Sequence, residues 1–138
     1  MNNGEREAAC KKIRSDNEEC LSDFKWDLVD QGLMEKTISR HLNNLDLFLN
    51  KFMLGEEAKA MEEGPYLVDD FYKNYFIHKC DWATGGSIKS TSESLKKFYM
   101  CMFNNGRIET EDYMELSKTI KDKMPEWQAE YEQTKEGK

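Results

Sequence analysis

Apolar residues recur along most of this chain at spacings of three and four, the period of a helix with one buried face. The first such stripe is Cys20, Leu21, Phe24, Leu28 and Val29, predicting a helix over about 15–30. Ser15 or Asp16 would cap it, and Gly32 suits the left-handed residue that closes a helix. Ile38, Leu42, Leu45, Phe48, Leu49 and Phe52 give the clearest stripe, a helix from about 35 to 54 ended by Gly55. Phe71, Tyr72, Tyr75, Phe76 and Cys80 form an aromatic face on a third, with Asp69 as its expected cap. Residues 81–90 read as a long loop around Thr84-Gly85-Gly86-Ser87. A fourth helix is expected from Ser90, which with Glu93 fits a capping box, and Leu95, Phe98, Tyr99, Met102 and Phe103 line it. Asn104-Asn105-Gly106 stops it. A fifth, from Thr110, carries Tyr113, Leu116 and Ile120. Pro125 is expected to break or kink it before Trp127 and Tyr131.

No alternation of period two and no repeat stands out. The pattern predicts an all-α fold, a single bundle of four to five helices over 15–132. Residues 1–14 are expected to be polar and frayed, and 133–138 a polar tail. The 138 residues suit one domain, and 34% charged with 38% hydrophobic residues is the balance of a folded chain.

No apolar run approaches the roughly 20 residues of a membrane span. The first thirty residues are charged throughout and lack the apolar stretch of a signal peptide, so a cytoplasmic location without membrane contact is expected. Cys10, Cys20, Cys80 and Cys101 form no CxxC pair, and no His lies at ligand spacing from them. Neither a metal site nor a cofactor is expected, and Cys80 and Cys101 read as core thiols.

Two segments resemble a known family. Gly32-Leu33-Met34-Glu35-Lys36-Thr37-Ile38, continuing through His41, Leu45 and Phe48, resembles the first helix of the core-binding domain of phage-integrase-type tyrosine recombinases, loosely G-L-S-x-x-T-I-x-x-Y-x-x-x-L-x-x-F. Ser90-Thr91-Ser92-Glu93-Ser94-Leu95-Lys96-Lys97-Phe98-Tyr99, followed by Asn105-Gly106-Arg107-Ile108, resembles that domain's later helix. The resemblance spans about residues 20–110. It implies a SAM-like helical domain that clamps double-stranded DNA, in a setting of DNA integration and recombination. His41 stands where the family often has Tyr, and reads as a packed side chain. After Ile108 the family continues with Asn-Pro and a catalytic domain, but here Glu109-Thr110-Glu111 follows. The four arginines and two histidines contain no His-x-x-Arg segment, so strand cleavage is not expected and the chain reads as no enzyme.

Charge bears on that implication. The chain nets −7, which opposes general nucleic-acid affinity. Only two segments are positive. Residues 33–54 carry three basic and two acidic side chains, and residues 87–107 carry four and one. These are the segments the family turns to DNA. Cations against phosphates supply most DNA affinity, and hydroxyls at helix starts add positioning contacts. Lys36, Thr37 and Arg40 on one helix, with Lys89, Ser90, Thr91, Lys96 and Lys97 on the other, are the expected DNA contacts.

Other groupings are weaker. His78 near Asp81 lacks a nucleophile, and Gly85-Gly86 lacks the Lys of a phosphate loop. Glu62-Glu63 reads as a solvated turn, and the aromatic run from Phe71 to Phe76 as core. Trp127 and Tyr131 would either pack back on the domain or dock to a partner. The second functional reading is therefore a protein-interaction adaptor, binding a partner or another copy through its C-terminal helix.

Overall fold

The structure, a computed structural model, describes residues 2–80 and 83–136, with side chains as far as residue 134. Asp81, weighed beside His78, and the end of the tail lie outside the described residues. The described chain is all-α, and its helices surround one hydrophobic core.

Helix α1 (Asn3–Asp30) starts well before the expected point, so the N-terminal segment is helical rather than frayed. Two features explain this. The Asn2 side chain accepts from the Glu5 N–H at 2.8 Å, an N-cap outside the apolar stripe. Arg6 then donates to the backbone carbonyls of Leu54, Gly55 and Glu56, tying the polar first turns to a distant loop. Cys20, Phe24 and Leu28 are buried as the period predicts. At Gly32 the backbone turns left-handed, φ 79°, and Leu33 N–H reaches back to the Leu28 carbonyl.

Helix α2 (Glu35–Asp46) runs directly into a π-helical turn, Leu47–Phe52. There Met53 N–H bonds to the Phe48 carbonyl, five residues back, and Phe48 and Leu49 are buried. A 3₁₀ turn (Met61–Tyr66) follows. Helix α3 is one run composed of Val68–Asp70, a π-helical turn Phe71–Phe76 and Ile77–Lys79. Its aromatics are core, with Phe48 and Phe71 edge-to-face at 5.0 Å. Leu67, not Asp69, occupies the N-cap position, because Asp69 instead accepts the Trp127 indole N–H at 2.8 Å.

Helix α4 (Gly85–Asn104) begins earlier than expected. Thr84 Oγ1 accepts from Ser87 N–H at 3.0 Å, and Ser87 Oγ accepts from Thr84 N–H at 3.2 Å. This reciprocal cap pre-empts Ser90. Ser90, Thr91, Ser92 and Ser94 therefore stand inside the helix, where hydroxyls need partners. Gly106, φ 75°, closes it.

Helix α5 (Thr110–Glu136) passes through Pro125 without a break. The proline ring is exposed, and so is Lys121, whose carbonyl loses its helical partner and is left to water. Beyond it the helix is held by side chains. Trp127 is 0% exposed and lies 4.3 Å from Tyr72, ring to ring, while Tyr131 donates to the Ala83 carbonyl at 2.7 Å. These aromatics pack back on the domain. No helix among the described residues is long and apolar enough to cross a membrane.

Candidate nucleic-acid interface

The two positive segments meet. Helices α2 and α4 pack side by side, and a polar seam joins them. Arg40 Nη1 donates to Ser90 Oγ at 2.5 Å. Asn44 Nδ2 donates to Ser94 Oγ at 2.9 Å, and His41 Nδ1 lies 2.7 Å from the same oxygen. Ser94 Oγ also lies 3.1 Å from the Ser90 carbonyl, one turn back, so that carbonyl and His41 Nδ1 compete for its single proton.

Burial separates the expected contacts. Lys36, Arg40, Lys89 and Lys96 are exposed, and Thr37, Ser90 and Lys97 are half-buried. Thr91 is 1% exposed and cannot reach a phosphate. An early start to α4 turned position 91 inward. Ser90 faces the seam as the acceptor for Arg40 and belongs to positioning rather than first contact.

Among the described residues, Lys36, Lys89, Lys96 and Lys97 form no ion pair, whereas Lys73 meets Asp69, Glu126 and Glu130. Arg107, the remaining cation of residues 87–107, is held by Glu19 and Asp23 at 3.1 Å each. It is bound to α1 and lost to the face. Lys89, Lys96 and Lys97 line an open groove of about 470 Å³ with Ser92, Glu93 and, from α5, Ile120 and Met124. The groove therefore combines unpaired ammonium groups with a single carboxylate, Glu93, among the described residues.

The sequence reading gave His41 no role in the site and omitted Asn44, Glu93 and Ser94. The signal for His41 was its place between Ile38 and Leu45 in the buried stripe, where a polar side chain needs partners. Burial, with Arg40 next in weight, holds its imidazole below the usual 6.5 despite the opposing pull of Glu93.

Ser94, His41 and Glu93 resemble a nucleophile, base and acid in order. Ser94 is fully buried, however, and its oxygen is already engaged by His41, Asn44 and the Ser90 carbonyl, so no substrate carbonyl could approach it. Among the described residues no three His, Cys, Asp or Glu side chains are grouped to hold a metal ion.

Comparison of the chain with protein-family models, with curated proteins and with solved structures finds no match in any of the three.

Proposed function

We propose that this chain is a non-catalytic DNA-binding module, akin to the recombinase core-binding domain its sequence resembles. One observation carries the reading. Within a chain of net charge −7, two packed helices carry Lys36, Lys89, Lys96 and Lys97, the last three lining one groove, and none is paired with a carboxylate among the described residues. Ammonium groups gathered along one groove repel one another, and an external polyanion relieves that repulsion. Contacts of this kind read backbone and shape rather than base sequence.

The test is binding of a labelled mixed-sequence duplex, followed by fluorescence anisotropy across salt. Four phosphate contacts give a log–log slope of about −3.6. No binding at low salt overturns the reading.

A protein-interaction role is the second reading, and a different surface favours it. Trp26 is 61% exposed, with Val29 one turn away on α1, and Met34 at the start of α2 is 75% exposed. The C-terminal aromatics are occupied internally, so this surface replaces them as the candidate contact. Light scattering of the intact chain and of Trp26→Lys tests self-association. A monomer in both removes it.

A further inference from the structure

Glu93 is the one carboxylate lining this groove among the described residues, and its surroundings are unusual. Its Oε1 lies 3.9 Å from Nη2 of Arg40 and 3.9 Å from Nε2 of His41. Both separations exceed the roughly 2.7–2.9 Å of a charge-assisted hydrogen bond. Glu93 thus sits between two nitrogen groups and bonds to neither.

His41 sharpens the point. Its ring is completely buried, and Nε2 has no hydrogen-bond partner. A buried polar atom left unpaired costs about 1–3 kcal/mol. The ring cannot turn away, because Nδ1 is held by Ser94 and the Phe24 ring packs against it from α1, centroids 6.4 Å apart. Nε2 carries a proton in the imidazolium and in the neutral tautomer in which Nδ1 accepts the Ser94 hydroxyl proton, the one a facing anion favours. In both it is a donor aimed at the position of the Glu93 carboxylate. The charged groups acting on the ring are Arg40 from its own helix, and Glu93 and Lys97 from α4. Arg40 and one fixed N–H thus face a single, loosely held anion, and Lys97 lines the same groove as that anion.

A phosphate group is larger than a carboxylate and spreads its charge over more oxygens. It can bond at once to groups that one carboxylate oxygen cannot satisfy together. We propose that Arg40, His41 and Lys97 form a phosphate subsite whose place Glu93 holds in the free protein. On binding, Glu93, which is exposed at its tip, swings into solvent. Ser90, Ser94 and Asn44 keep the guanidinium and the imidazole in position. In the DNA reading above, on which the source of the phosphate rests, the ligand is a phosphodiester of the duplex; free inorganic phosphate offers the same chemistry.

The experiment titrates inorganic phosphate into the full chain while the ¹⁵N signals of the His41 ring are followed by NMR, with chloride at equal ionic strength as control. Glu93→Gln removes the resident charge at the surface and Lys97→Ala removes a ligand. Glu93→Gln is expected to lower the half-saturating phosphate concentration about fivefold, the effect of one unit charge near 4 Å in water. Lys97→Ala is expected to raise it. A His41 ring unmoved by phosphate in both the parent and Glu93→Gln, or moved equally by chloride, overturns the subsite. The same variants are then titrated with labelled duplex. Duplex binding that Glu93→Gln leaves unchanged overturns the subsite and spares the DNA reading. A phosphate response without duplex binding supports the subsite and overturns the DNA reading.

Discussion

His41 Nδ1 and Ser94 Oγ stand 2.7 Å apart across the contact of α2 with α4, though 53 residues separate them in the chain. This bond fixes an imidazole in the core directly beneath the basic face. It also makes the α2–α4 contact a polar one, and three hydroxyls of the Ser/Thr run have specific partners. Ser90 accepts from Arg40, Ser92 bonds Tyr72 at 2.6 Å, and Ser94 meets His41 and Asn44.

Stability should fall in mild acid on account of His41. Burial holds the folded imidazole below its ordinary 6.5, so the unfolded chain takes up a proton first. His41's contribution is therefore complete above that value and is lost as the pH drops from 6.5 toward the folded pKa. Urea midpoints at neutral and mildly acidic pH, compared between the parent and His41→Gln, measure it. The parent should lose more on acidification, and equal losses contradict the assignment.

The two lysines after Leu95 separate binding from folding. Lys96→Glu with Lys97→Glu should weaken duplex binding by about tenfold or more and flatten its salt dependence, while the melting curve stays near the parent's. Thr91→Val should do the reverse, leaving duplex affinity alone because the side chain is buried. Unchanged affinity in the double variant removes this face from consideration.

Trp127 ties α5 to α3. Its ring is fully buried against Tyr72, and its N–H reaches Asp69. Trp127→Ala should cost about 3–5 kcal/mol and Trp127→Phe less, since only the latter keeps ring packing. Chemical denaturation gives both values, and a mild alanine effect would place the helix beyond Pro125 away from the core.

Gly64 has no room for a side chain. A methyl group there would strike the hydroxyl of Tyr99, which is fully buried and donates to the Met61 carbonyl at 2.8 Å. Gly64→Ala should destabilise by about 1–3 kcal/mol, the usual penalty for overpacking, and Tyr99→Phe should recover part of it. Absence of any rescue would point to backbone strain instead of this collision.

The hydrophobic period by itself determined the helical class and most of the core. Leu45, Phe48, Leu95 and Phe98 are buried where spacings of three and four put them, because a helix with one apolar stripe has one way to hide it. Gly32 and Gly106 ended their helices as the sequence indicated, since a left-handed residue costs glycine least. Starts were less legible. Asn2 and the Thr84–Ser87 pair won the capping positions, because several Ser, Thr and Asn residues competed and the choice rests on what the following turn packs against. The basic segments could be read from the chain, but which cations stay free could not. Arg107 was claimed by Glu19 and Asp23 from α1, and Thr91 was turned inward by the register of α4. Only the tertiary structure decided these outcomes, and only it set His41 beside Ser94 and Glu93. Ion pairs and buried hydrogen bonds form between side chains brought together by packing, and local periodicity carries no information about partners far along the chain.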